Sequence, residues 1–191
     1  MKLPGVRDDE SFRILEREFT FRGRIVSVSV DRIRLPGGHE TRHEVLHLPS
    51  AVAVVPILEA EGCRKEVVLV EQFRNSVEGY IHEIPAGILE DGEDPARCAA
   101  RELEEETGYR ADRVTHLVTL YPIPGTSAHK MYFYLAEGLS PGTQRLEDAE
   151  CLTVKKFFLD DLLEALRSRR EPAIVDAKTH IGLLHVALRL R

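Results

Sequence analysis

Residues 87–109 read GILEDGEDPARCAARELEEETGY, and the purpose of this stretch decides how the rest of the chain is read. Eight of its twenty-three residues are acidic, with Glu104, Glu105 and Glu106 consecutive. Asp94-Pro95 predicts a helix start, an Asp cap with proline at the first helical position, and Gly108 stands where a C-terminal cap belongs. Within that helix Ala96, Ala99, Ala100, Leu103 and Thr107 form one face, small enough for close packing on a sheet. Glu102 and Glu106 lie four residues apart, so their carboxylates rise one above the other, and Glu105 borders the same patch. Like charges at this spacing cost about 0.2–0.5 kcal/mol per pair. They also sit at the end of the helix where the macrodipole disfavours negative charge. Local helix stability therefore does not select the arrangement. A solvated face tolerates it, and a site for hard divalent cations would use it, because Mg²⁺ takes carboxylate oxygen and keeps waters for a phosphate to displace. Arg101 is placed to orient Glu105, and Glu93 to reach Arg101, as partners that fix metal ligands do. Composition alone leaves both readings open.

The chain has 191 residues, the length of one domain or of one domain with a small arm. A hydrophobic fraction of 43% supplies a core and excludes wholesale disorder. A net charge of −6 and a pI near 5.8 speak against nucleic acid as a partner. They leave room for an anionic ligand, since metal ions and a few arginines reverse the sign locally. Cys63, Cys98 and Cys151 are odd in number and show no C-x-x-C spacing, so neither a disulfide framework nor a zinc site is expected, and a reducing compartment fits. The start, MKLPGVRDDESF, has no apolar targeting core and no apolar run approaches spanning length, so a cytoplasmic protein without membrane association is expected.

From Phe19 to Leu48 the chain reads as β structure. Val26, Val28 and Val30 alternate with Ser27 and Ser29, predicting a strand that buries its valines. LPGGHE supplies a turn and TRHEVLHL a returning strand. AVAVVPIL (51–58) and EVVLVEQF (66–73) are near-continuous apolar runs, as in strands covered on both faces. The composition shift at Pro49-Ser50 predicts an N-terminal β arm (1–49) and a main domain (50–191). RVTHLVTLY, KMYFYLAEG and LTVKKFF read as further strands, LDDLLEALRSR as a helix, and DAKTHIGLLHVALRLR as an amphipathic helix capped by Asp176. Helices mixed with a largely buried sheet indicate an α/β sandwich.

The acidic segment resembles the signature of the Nudix hydrolases at Gly87, Glu93, Arg101, Glu102, Leu103, Glu105, Glu106, Gly108 and Tyr109, all at the family's spacing. The resemblance implies an α/β/α sandwich with a mixed sheet, here preceded by an antiparallel β arm. It also implies hydrolysis of a nucleoside diphosphate linked to another group, with Mg²⁺ or Mn²⁺ polarising a phosphoryl oxygen and generating the attacking water. By that resemblance Glu102 and Glu106 are metal ligands, Glu105 is a further ligand or the base for the water, the Ala86 carbonyl is the non-carboxylate ligand, and Arg101 supports the catalytic glutamates.

Three features outside the signature resemble the ADP-ribose pyrophosphatase branch and its nucleoside-diphosphate-sugar relatives. One is EIPAG (83–87), which with Ile88 flanks the site on the substrate side and brings in Glu83. Another is VEQFR (70–74), where Arg74 would meet the diphosphate; without the resemblance it is a surface arginine. The last is Pro124, sixteen residues after Gly108 and followed by Gly125, otherwise simply a turn. In this branch the arm pairs with a second subunit and completes the site, which implies a homodimer. RLEDAECLTV occupies the loop from which the branch supplies a glutamate: Glu150, or Glu147 as second choice, against the alternative of a merely solvated carboxylate. The chain departs from the branch after Pro124-Gly125, where His129 stands near the position at which many relatives carry glutamate. It also contains no tryptophan to clamp a base. His43 and Glu44 in TRHEV are the candidates to stack on and hydrogen-bond the base, or are simply exposed strand residues. The expected reaction is conversion of ADP-ribose to AMP and ribose 5-phosphate. The alternatives are another nucleotide sugar such as GDP-mannose or ADP-glucose, and a nucleotide sensor without turnover. Cys98 reads as a packed helix residue and RSRRE (167–171) as a solvated helix end.

Overall fold

The strand predicted around Val28 forms, but it buries its other face. In the computed structural model, which describes residues 2–60, 62, 64–146, 150–168 and 174–189, β1 (Arg13–Arg22), β2 (Ser27–Arg34) and β3 (Glu40–His47) make an antiparallel sheet in the order β1-β2-β3. Ser29, Asp31 and Ile33 are the buried residues of β2, while Val28 and Val30 are only half-buried. The predicted inward face of Val26, Val28 and Val30 is thus corrected. The inversion holds because the buried polar groups are satisfied from the neighbouring strands. Arg17 of β1 donates to both Asp31 oxygens (Nε to Oδ1 2.8 Å, Nη2 to Oδ2 2.5 Å), Ser29 donates to Oδ1 at 2.8 Å, and His47 of β3 lies 2.8 Å from the Ser29 hydroxyl. The Arg17 hydrogen bonds hold the Asp31 carboxyl below its ordinary pKa. Removing Arg17 leaves a desolvated carboxylate without its fork, so Arg17→Met lowers stability by about 1–3 kcal/mol. Thermal melting at neutral pH reads this as a drop of several degrees, and an unchanged melting point would refute it.

Two compact units emerge, residues 1–50 with 119–131, and 51–118 with 132–191. In the first, the LPGGHE turn closes with Leu35 N–H on the His39 carbonyl at 2.9 Å, and Leu46 N–H of β3 bonds the Thr126 carbonyl at 2.8 Å.

The second unit is built on a seven-stranded sheet. β4 (Ala51–Glu59), β5 (Lys65–Arg74), β9 (Met131–Pro141), β8 (Tyr109–Leu120) and β10 (Leu152–Phe158) run in the order β10-β5-β4-β9-β8; β6 (Gly79–Glu83) pairs with β5 and β7 (Ala86–Ile88) with β4. β4 is buried from Val52 to Ile57 and β5 from Val67 to Val70, as the apolar runs predict, while Phe73 at the end of the second run is exposed. Alternation along β4 assigns the layers. Val52 and Val54 pack with Cys98, Ala99 and Leu103 of α1 (Pro95–Thr107). Val55 faces α3 (Ala177–Arg189), where a Cβ on Gly182 would come within 2.7 Å of the valine methyl. Side chains of opposite parity on one strand point to opposite faces, so helices cover both sides and the unit is an α/β/α sandwich. α2 (Leu159–Arg167) follows β10 and buries Leu159, Leu162 and Leu163.

On α1 the caps are as predicted. Asp94 Oδ1 accepts from the amides of Ala96 (3.0 Å) and Arg97 (3.1 Å), and Gly108, at φ 71°, returns its N–H to the Glu104 carbonyl at 2.8 Å. The packing face is rotated from the predicted one. Ala100 is exposed, and Cys98, Glu102 and Glu106 join Ala99, Leu103 and Thr107 in the interior. β6 and β7 have no counterpart in the sequence reading.

Candidate active site

The rotation of α1 settles how its acids are placed. Glu102 and Glu106 are 9% and 3% exposed, so they do not belong to a solvated face. Gly87 of β7 lies against the Glu102 carboxylate so closely that a Cβ there would overlap its carboxyl carbon and oxygens. That close approach, and not a special backbone angle, is what a larger residue here would disturb, since the Glu102 carboxylate would have to move. Ala86, one residue earlier, donates its N–H to Glu106 Oε2 at 3.2 Å.

Arg101 organises the exposed edge of the cluster. Its Nη1 donates to Glu102 Oε1 (2.8 Å) and Glu105 Oε2 (2.9 Å), while Nε and Nη2 donate to the two oxygens of Glu93 (3.0 and 3.1 Å). Hydrogen bonding to Arg101 pulls Glu93 down to a pKa of about 2. Burial pushes Glu102 up against the pull of Arg101. Burial, with the charges of Glu102 and Glu150, pushes Glu106 up to about 8. Glu90, Arg101, Glu102, Glu105, Arg145 and Glu150, with Leu146, line one cleft of about 210 Å³. The fold thus brings Glu150 from the loop before β10 to the acids of α1. Glu147 lies outside the described residues, as do Cys63 and Arg169 to Glu171.

Arg74 and Glu83 meet on the β5–β6 hairpin. The guanidinium forks the carboxylate, Nε to Oε1 at 2.6 Å and Nη2 to Oε2 at 2.8 Å. Glu83 is 2% exposed and also accepts from Lys178 of α3. Lys178 is absent from the sequence reading. Its one local signal is its position two residues after the cap Asp176, which says nothing of a partner 95 residues away. Ile88, on β7, is exposed.

In the other unit, His43, Glu44, Pro124 and Gly125 line a common cavity of about 380 Å³, with Tyr121 and Ser127 among its walls. His43 and Glu44 are exposed residues of β3, and Pro124 and Gly125 belong to a turn closed by the Thr126 and Ser127 amides on the Ile123 carbonyl, both at 3.0 Å. His129 hydrogen-bonds Ser127 (Nδ1 to Oγ 3.1 Å), and burial lowers its pKa.

The NUDIX domain family matches residues 47–177. The chain belongs to the Nudix family. Among its relatives, the ADP-ribose pyrophosphatase of Bacillus subtilis (strain 168) is 36% identical over 179 residues, 93% of each chain. The methanol dehydrogenase activator of Bacillus methanolicus is also 36% identical over 179 residues, again 93% of each. A crystal structure of ADP compounds hydrolase superposes with a TM-score of 0.82 at 24% identity, covering 97% of both chains, and shares the fold.

Nudix hydrolases need divalent metal ions, and the residues here suit one. Glu102, Glu105 and Glu106 are carboxylates, oxygen donors of the hard type that Mg²⁺ takes. Burial and the charges of Glu102 and Glu150, which raise Glu106, are what a cation there would relieve. Among the described residues no three His, Cys, Asp or Glu side chains stand ready as a ligand set. Arg101 supplies the positive charge next to Glu102 and Glu105, engaging Oε1 of the one and Oε2 of the other and leaving the second oxygen of each. No helix among the described residues is long and apolar enough to cross a membrane.

Proposed function

We propose that this Nudix protein hydrolyses the diphosphate of ADP-ribose, giving AMP and ribose 5-phosphate, with Mg²⁺ or Mn²⁺ held by Glu102, Glu105, Glu106 and the Ala86 carbonyl. The observation that carries the reading is the convergence of Glu102, Glu105, Arg101 and Glu150 on one cleft, with the buried Glu106 on the same helix. The extended similarity to the B. subtilis ADP-ribose pyrophosphatase supports the substrate.

A divalent ion held by these residues would polarise a phosphoryl oxygen and acidify water. The chain's own groups do the rest. Glu105, half-buried at the cleft edge and steered by Arg101, accepts a proton from the attacking water. The water oxygen bonds to one phosphorus as the bridging P–O bond breaks, and the freed phosphate leaves on the ribose or on the adenosine. Glu150 orients the water from its loop. Arg74, locked as a planar fork by Glu83, presents Nη1, which makes no bond to Glu83, to the diphosphate. Glu83 and Ile88 flank the diphosphate, and the cavity lined by His43, Glu44, Pro124 and Gly125 is the candidate for a nucleoside. The arm spanning residues 1–49 joins a second copy through β1, which exposes Ile14, Phe19 and Phe21.

The test is AMP release from ADP-ribose with Mg²⁺, run beside GDP-mannose, ADP-glucose, NADH and diadenosine polyphosphates. ADP-ribose is expected to give the highest kcat/KM. Preference for GDP-mannose or ADP-glucose would move the substrate assignment, and absence of turnover on all of them would leave a binding protein. Light scattering is expected to give twice the monomer mass. Gly87→Ala forces the Glu102 carboxylate aside and is expected to lower kcat by about 100-fold while circular dichroism stays that of the wild type. Wild-type turnover in that variant would separate Glu102 placement from catalysis.

A further inference from the structure

The first turn of α3 grips two consecutive residues that lead into the active site. Lys178 donates from Nζ to Glu83 Oε2 and lies 3.1 Å from Asp176 Oδ2. Asp176 caps the helix, accepting from Thr179 N (2.9 Å) and Thr179 Oγ1 (2.6 Å). The same Thr179 hydroxyl accepts the Ile84 amide at 2.8 Å. Glu83 is thus held by its side chain and Ile84 by its backbone. The segment continues through Pro85, whose carbonyl accepts from Val54 N–H at 2.9 Å, to Ala86, whose N–H meets Glu106. At its upstream end Glu83 holds the Arg74 guanidinium. Lys178 itself is largely withdrawn from solvent, its side chain 13% exposed. A lysine that far out of water, committed to a carboxylate 2% exposed, is a costly arrangement unless it fixes something.

We infer that Lys178 is a positioning residue for the diphosphate: by holding Glu83 from α3 it sets the plane of the Arg74 guanidinium that receives the substrate. The inference rests on the reading of Arg74 given above. Arg74 spends Nε and Nη2 on Glu83, so the orientation of Nη1 follows the orientation of the carboxylate. With Lys178 absent, Glu83 keeps one cationic partner in place of two and is free to rotate, carrying Arg74 with it. Arginine at 178 preserves the charge and reach to Glu83, and an apolar side chain of similar length does not.

The experiment is a double-mutant cycle on KM and kcat for ADP-ribose, with Lys178→Met, Arg74→Ala, the pair, and Lys178→Arg, alongside calorimetric binding of ADP-ribose to chelator-treated protein. Lys178→Met is expected to raise KM about tenfold, with a smaller change in kcat and the same weakening of binding. Lys178→Arg is expected to restore most of the loss. In the Arg74→Ala background Lys178→Met adds nothing, because its effect runs through Arg74. A merely structural lysine would lower the melting point without that split, that rescue or that non-additivity, and such a result overturns the inference. So do additive effects of the two substitutions. If Lys178→Met does not fold, Lys178→Gln takes its place in the same cycle. Wild-type kinetics in Lys178→Met beside an impaired Arg74→Ala would defeat only the role of Lys178. Wild-type kinetics in Arg74→Ala would remove Arg74 from the substrate reading and this inference with it.

Discussion

Replacing Glu105 by Gln is expected to lower turnover of ADP-ribose by about 10²- to 10⁴-fold, the range that a positioned general base contributes. Gln keeps the size and one acceptor oxygen but cannot take a proton or supply an anionic ligand oxygen. The position suits such a test because little else depends on it. Glu105 is half-buried on the cleft wall, and its one ion-pair partner among the described residues, Arg101, retains Glu93 and Glu102 when Glu105 is neutralised. The melting point should therefore stay within a degree or two of wild type, since an exposed i,i+4 pair is worth only about 0.3–0.5 kcal/mol. The measurement is AMP release under saturating Mg²⁺, with thermal melting on the same preparations. Undiminished turnover would remove Glu105 from the chemistry and leave Glu150, which lines the same cleft, as the carboxylate to test next.

Much of α1 was legible because its determinants are local. Asp94, Pro95 and Gly108 are read by the residues immediately next to them, and a cap works the same way in any fold. The spacing of Glu102, Glu105 and Glu106 is likewise a property of the helix. Which way that helix faces is not local. Ala100 points outward and Glu106 inward because the sheet meets the helix along Cys98, Ala99, Leu103 and Thr107. A polarity pattern cannot report that, since a buried carboxylate and a surface one read alike in the sequence. β2 shows the same blindness: Ser29 and Asp31 are buried in preference to valines because Arg17, fourteen residues earlier, completes them. Glu83 and Lys178, 95 residues apart, are the extreme case. Each charge looks like ordinary surface polarity alone, and only the packing of α3 beside β6 makes them a pair.

Glu106→Gln separates stability from activity and is expected to move them in opposite directions. In metal-free protein Glu106 is buried with Glu102 and Glu150 nearby, and its pKa rises from the usual 4.5 to about 8. Between those two values the folded protein keeps the proton while the unfolded chain has released it, so folding takes up a proton and stability must fall as pH rises. The slope from this one group is about 1.4 kcal/mol per pH unit. The contribution is fully present below pH 4.5 and lost by about pH 8. Gln carries no titration. In the presence of a chelator, the wild type is expected to lose stability relative to Glu106→Gln across that window, and the variant to be the more stable protein at pH 8 by a few kcal/mol, as order of magnitude. Titrations of groups that do not interact with Glu106 cancel in the difference. Adding Mg²⁺ reverses the ranking at high pH. A cation binding the folded wild type stabilises it by mass action, and more strongly as the competing proton leaves. The variant, short of a ligand, gains less and turns over ADP-ribose orders of magnitude more slowly. Denaturant unfolding of both proteins from pH 5 to 8, with chelator and with Mg²⁺, tests all of this. Parallel stability curves in chelator would mean that Glu106 is not a strained buried acid. The proposed metal site would then carry no electrostatic cost from burial and like charge at Glu106.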